Sequence, residues 1–263
     1  MRKVLSFLAI AAMLCCVACK KTPTNNGNNN NNNNNNQEQK EDPPVVEKPS
    51  ITIDGDFADW AKLDQSKVAV ANCNAEGKYA GLKVMKVYAN ENYIWVYFKC
   101  DPDAIKEGWV TIDMVLNADN SADTGGYGEF WTDMDAEWLL EGPIASDGVA
   151  TSYDCALFKW WGAVGEDGWN WTNPDEEATA DNGWGAIFPE GSGLASSEGN
   201  MTSGEFEIQI IREMLAGVDF ADSFTVGAFL SASWTSVGAL PNDAITDENP
   251  NGKTPKLKVT VDK

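Results

Sequence analysis

The chain has 263 residues, of which 40 are Asp or Glu against 19 Lys or Arg, for a formal charge of −21, and it contains no histidine. That absence excludes Ser-His-Asp and Cys-His catalysis, histidine zinc sites and haem on a histidine ligand. The acid excess argues against nucleic acid and anionic membrane surfaces as partners, since neither offers positive charge.

Residues 1–18 read as an export signal. Arg2 and Lys3 form a charged start, Val4 to Val17 an apolar stretch, and the run is too short for a comfortable permanent membrane span. Cys16-Val17-Ala18-Cys19 resembles the lipobox of bacterial lipoproteins, with Cys16 where that family usually has Leu. The resemblance implies lipidation of Cys19 and attachment to the membrane through the lipid anchor only. Residues 19–50 include Asn28 to Asn36 without interruption and almost nothing apolar, so they are expected to form a disordered linker. As a coil of about 31 residues it would reach roughly 30 Å. Without residues 1–18, which hold two bases and no acid, the charge becomes −23.

From Ile51 to Lys263 short apolar bursts are divided by Gly, Asn, Asp and Pro. Strands are expected at 81–89, 93–100, 109–116, 136–140, 155–161, 205–211, 224–234 and 256–261. Tyr93-Ile94-Trp95-Val96-Tyr97-Phe98 alternates, one face for a core and one presenting aromatics, and Asn90-Glu91-Asn92 before it predicts a hairpin. Ile211 to Ala216 suggests one helical turn. The pattern predicts an all-β domain over residues 51–263, a single antiparallel β-sandwich. Cys73, Cys100 and Cys155 allow at most one disulfide, and buried free thiols are expected for at least one of them.

Ile51-Thr52-Ile53-Asp54-Gly55-Asp56-Phe57-Ala58-Asp59-Trp60 opens the domain, with Asp59 suited to loop amides and Trp60 to plugging the sandwich end. Together with the aromatic strand ending before Asp101, and with Glu205-Phe206-Glu207-Ile208-Gln209-Ile210, it resembles family 9 carbohydrate-binding modules and their DOMON-like β-sandwich relatives. The resemblance spans Ile51 to about Val261 and implies a jelly-roll type sandwich and a sugar-binding role. Asn117-Ala118-Asp119-Asn120-Ser121-Ala122-Asp123-Thr124-Gly125 and the acids after it look like a loop found in lipoprotein members of that group. The loop is not an EF-hand, because Ala122 and Gly128 stand where that motif needs Gly and Glu. A structural calcium ion is expected on Asn117, Asp119, Asp123 and Asp135, against the alternative of a solvated turn that caps its own backbone.

Between Asp101 and Pro250 lie 29 acids and three bases, which disfavours phosphate, sulfated and uronate ligands and leaves neutral sugars. Trp160, Trp161, Trp169, Trp171 and Trp184 fall within 25 residues among glycines. Indole faces stack on the C–H faces of pyranose rings while Asp, Asn and Glu take the hydroxyls. The stretch from Gly162 to Gly204 must also include a long loop, and long loops tend to carry function. Trp160 is expected in the core, and Trp169, Trp171 and Trp184 exposed; Trp161 and Trp234 complete the expected ligand-binding set.

The sequence thus leads to an outer-membrane lipoprotein, expected at the cell surface with a periplasm-facing anchor as the alternative, and expected monomeric, that captures a neutral glycan without catalysis, with no haem and no nucleotide. Its poly-Asn linker resembles those of surface glycan-uptake lipoproteins of Bacteroides-like gut bacteria, which implies other uptake proteins as neighbours. Two alternatives stay open: a protein-binding or structural component of a surface complex, and a glycoside hydrolase using an unidentified carboxylate pair.

Overall fold

A computed structural model describes residues 51–263 except 75, 77, 78, 127, 167, 174, 175 and 216–219. The expected signal, the lipidated Cys19 and the linker lie outside the described residues. Residues 51–263 belong to one compact unit.

The unit is all-β and sandwich-like. Its strands are β1 (Ala69–Asn72), β2 (Leu82–Asn90), β3 (Tyr93–Cys100), β4 (Trp109–Asn117), β5 (Trp131–Thr132), β6 (Trp138–Ser146), β7 (Val149–Ala150), β8 (Ala156–Trp160), β9 (Trp184–Phe188), β10 (Ala195–Asn200), β11 (Glu205–Ile211), β12 (Ser223–Ala232), β13 (Thr235–Leu240), β14 (Thr254–Pro255) and β15 (Leu257–Asp262). The order β10-β11-β3-β2-β15-β12-β4-β6-β8-β9 makes one curled sheet that folds over itself. Strand β15 joins the two leaves, antiparallel to β12 and parallel to β2, so the sheet is mixed rather than purely antiparallel.

Alternation along the strands builds three apolar layers. Val110, Ile112, Met114 and Leu116 of β4 face Ile94, Val96 and Phe98 of β3 across the main core. On the outer side of the first leaf, Trp95 and Tyr97 do not meet solvent; they are covered by Ile51, Trp60, Leu63 and Val68. Trp60 therefore packs across a sheet face, beside Tyr97 at 5.8 Å between ring centroids, instead of plugging an end of the sandwich. Asp59 does hold the opening loop, accepting from the Thr52 amide at 3.1 Å.

The opening segment is pinned to the late Glu-bearing strand. Glu207, fully buried, accepts from the amides of Asp54 and Gly55 at 3.0 and 2.9 Å. Leaving two such donors without a partner costs about 1–3 kcal/mol. Glu207→Ala should therefore lower stability by about that much, and Glu207→Gln, which keeps an acceptor, by less. Urea denaturation of the three proteins checks this, together with the rate of proteolysis ahead of Trp60.

On the outer side of the second leaf lies the third layer: Val115, Phe130, Trp131, Leu139, Trp160, Trp184 and Phe229. Trp131 lies flat on Gly227, where an added Cβ would come within 2.5 Å of the ring. The strand expected at 136–140 runs on to Ser146 through Gly142 and Pro143. The region after Gly162 contains β9 and β10 as well as its loop, and the turn expected at 211–216 is a 3-10 helix over Arg212–Met214. All three cysteines are free, with Cys100 and Cys155 buried. Among the described residues no helix is long and apolar enough to cross a membrane.

Candidate functional site

The side chains of β4 that do not enter the main core form a row: Thr111, Asp113, Val115 and Asn117. Registers with neighbouring strands extend each position sideways. Asp113 lies opposite Phe229 of β12 and Glu141 of β6, Thr111 opposite Ser231, and Val115 opposite Gly227 and Leu139. The row thus has a polar, acidic end at Thr111 and Asp113, an apolar middle at Val115, and a second polar end at Asn117.

A cavity of about 290 Å³ opens over the first end, lined by Thr111, Asp113, Glu129, Glu141, Trp169, Trp171, Phe229, Ser231, Trp234 and Ser236. It falls at the lower edge of the roughly 300–1,000 Å³ range of small-molecule sites. Three of the five expected ligand-binding tryptophans meet here. Trp169, Trp171 and Trp234 are 37%, 56% and 83% exposed. Trp169 stands edge-on to Phe229 at 5.6 Å and donates from Nε1 to Glu129 at 2.9 Å. Trp171 rests edge-on against Phe158 at 4.8 Å. Trp234 comes from the β12–β13 turn, in which Ser233 and Trp234 have φ of 48° and 67°. A two-residue hairpin turn with both φ positive favours Asn-Gly, and an indole there bears a conformational cost of about 1–2 kcal/mol.

The other two expected tryptophans are elsewhere. Trp184 is 0% exposed, packed edge-on to Trp160 at 5.3 Å. Its glycine-rich surroundings serve close backbone pairing rather than exposure. The Trp184 amide donates to Asn170 at 2.8 Å and its carbonyl accepts from Thr172 at 3.1 Å. At Gly183 an added Cβ would lie 1.7 Å from the Asn170 carbonyl oxygen. Trp184 thus positions the Trp171 segment from beneath. Trp161 lines a different cavity, of about 320 Å³, beside Asp119, Asp123, Thr124, Glu137 and Trp138, and Lys159 stands 4.7 Å from its ring centroid.

The floor of the groove holds two carboxyls that the apolar strand patterns hid. Asp113 is 5% exposed and its Oδ1 has no hydrogen-bond partner. Burial, with Glu141 beside it, holds the Asp113 carboxyl well above the usual carboxylate range. Burial and then Glu190 raise Glu141 as well. A sequence signal existed: each is an acid in mid-strand among apolar neighbours, at a position whose alternation points away from the main core.

Asp135 lines a cavity with Asp133, Met134 and Lys253, while Asn117 Nδ2 donates to the carbonyl of the adjacent Met134 at 3.1 Å. Among the described residues no three Asp, Glu or Cys side chains are grouped to hold a metal ion. Asp119 is engaged in its own turn, accepting from the Ser121 amide at 2.8 Å and from Thr124 Oγ1 at 3.1 Å. Two buried oxygens at this end nevertheless lack partners, Asn117 Oδ1 and Glu137 Oε2. The other Glu137 oxygen accepts from the Ala118 and Asp119 amides at 2.7 and 3.3 Å. Burial pushes the Glu137 carboxyl up to about 7. Oxygens of this kind suit a hard cation.

The acidic loop and the tryptophan loop are joined. The Gly165 amide donates to Gly125 at 3.1 Å, and Glu129 holds Trp169. No protein family matches the chain, and no curated protein matches it in sequence.

Proposed function

We propose that this domain binds a neutral oligo- or polysaccharide, without catalysis, in the groove walled by Trp169, Trp171 and Trp234. The observation that carries the reading is the convergence of three exposed indoles from two loops over a polar floor, one of them held in a costly turn. Stability alone would favour Asn or Gly at Trp234, so an exposed indole there calls for a ligand. Thr111, Ser231 and Ser236 supply hydroxyl partners, and the lack of a lysine or arginine among the groove's lining residues disfavours anionic sugars.

Calcium, where bound, would be held by Asn117, Asp119 and Asp123 with Glu137, and would stiffen the loop that carries Glu129. In this reading Cys19 and the Asn-rich linker tether the domain to the outer membrane at the cell surface, beside other glycan-uptake proteins, and the protein works as a monomer.

The test is a glycan array followed by tryptophan-fluorescence titration of the protein, with calcium and with chelator. Trp171→Ala and Trp234→Gly should each weaken binding by about 2 kcal/mol, roughly 30-fold. Trp234→Gly should also raise stability, by about 1 kcal/mol, as the strained turn relaxes. Loss of binding together with a gain in stability separates a ligand-contact residue from a structural one. Absence of binding across neutral and acidic sugars would remove the glycan reading and favour a protein partner.

A further inference from the structure

The groove floor is electrostatically incomplete. Asp113 and Glu141 lie directly opposite one another on adjacent strands, a geometry that places their Cβ atoms about 4.5–5.5 Å apart. Asp113 is 5% exposed, leaves its Oδ1 without a hydrogen-bond partner, and is one of the residues lining the cavity. No cation offsets the pair among the described residues. Of the three bases between Asp101 and Pro250, Lys106 pairs with Asp103, Lys159 lies over Trp138 and Trp161, and Arg212 lies over Phe220 and donates to the Asn90 carbonyl. Lys253, from the segment before β14, donates to the carbonyls of Gly128 and Glu129. The remaining ionisable groups near the pair carry no positive charge: Glu129 from the acidic loop, Glu190 after β9, the buried thiol of Cys155, and Tyr153 behind the sheet, whose hydroxyl donates to Ile112 and Leu140.

A sugar hydroxyl would satisfy a lone pair here and leave the charge. An ammonium supplies up to three donors and the missing positive charge at once. The indoles above it add attraction through their ring faces, worth about 0.5–2 kcal/mol for each well-placed cation. We propose that the groove selects a glycan unit bearing a free amine, seated with its ammonium against Asp113 and Glu141 beneath Trp171 and Trp234. The inference rests on the glycan reading and changes one unit of it: the ligand is neutral along its length and cationic at the floor.

The experiment is a fluorescence titration of the protein with glucosamine oligomers, their N-acetylated counterparts, and glucose oligomers of the same linkage and length. At about pH 6, where an amine beside carboxyls is held as its ammonium, the glucosamine oligomer should bind about tenfold or more tightly than the other two. Asp113→Asn and Glu141→Gln should remove that preference while retaining weak binding of all three. Glu248→Gln removes the same charge from an exposed site and should leave the preference intact. An equal loss in Glu248→Gln would reduce the preference to general attraction by an acidic protein and overturn the inference. Equal binding of all three oligomers by the unaltered protein would also overturn it while leaving the glycan reading in place. If none of the three binds but the array finds another sugar, the amine proposal alone falls; if nothing binds at all, both fall. Melting curves of each variant establish that it is folded.

Discussion

Replacing Trp184 by Ala is expected to cost about 3–5 kcal/mol, the range for deleting a fully buried large aromatic side chain. For a domain whose total stability is of order 5–15 kcal/mol, the melting midpoint should drop by roughly 10 °C or more. The cost comes from the layer between the second leaf and its covering loops. Trp184 is completely buried against Trp160, and its backbone carries the pairing that holds residues 170–172. Trp171, thirteen residues earlier in the same glycine-rich stretch, is 56% exposed. Trp171→Ala should move stability by less than about 1 kcal/mol, because little apolar surface returns to water. The contrast is measurable with two urea denaturation curves. Equal destabilisation by the two substitutions would mean that Trp171 is part of the core and that the groove loses one wall.

Asp113→Asn is expected to stabilise the protein at neutral pH. The folded-state carboxyl titrates well above its ordinary range because it is buried beside Glu141. A carboxyl raised in the folded state contributes its full stability below the unfolded value, about 3.9. That contribution is lost progressively as the pH rises toward the folded value, because the unfolded chain releases the proton more readily. Asn mimics the neutral acid and carries no such loss. The variant should therefore be more stable than the parent by about 1–3 kcal/mol at pH 7, and the two should converge near pH 4. Denaturation across pH 4–8 follows the difference directly, with carboxylates remote from Asp113 cancelling between the two proteins and the relief of Glu141 adding to the gain. A variant less stable at pH 7 would mean that a partner inside the fold satisfies the Asp113 carboxylate. Together with the binding series, a gain of stability with a loss of amine preference would mark Asp113 as kept for ligand.

Much of the scaffold was legible before the structure. Strands at 93–100 and 205–211 are seen at those bounds, and the others expected from apolar alternation appear, with shifted ends or extensions. Alternation is a local property: a strand half-buried on one side writes its period into the chain. Strands β1, β9, β10 and β13 were missed for the same reason. β10 is the polar run Ala-Ser-Ser-Glu-Gly-Asn at a sheet edge, and β9 begins at a tryptophan among glycines that resembled a loop. The order of strands, the parallel contact of β15 with β2, and the cover over Trp95 and Tyr97 depend on partners far along the chain, which no local period encodes.

The site divides along the same line. Composition by itself disfavoured anionic ligands, excluded histidine chemistry and drew attention to the tryptophans. Only the tertiary structure decided which indoles are walls and which are core. Trp171 and Trp184 lie in the same stretch rich in Gly, Asn and Asp, yet one faces solvent and the other lies beneath it, because burial is set by what the fold brings over a residue. The same holds for Asp113 and Glu141. Each is a single acid in an apolar strand, and they become a pair only when β4 and β6 lie in register on a face that the loops enclose.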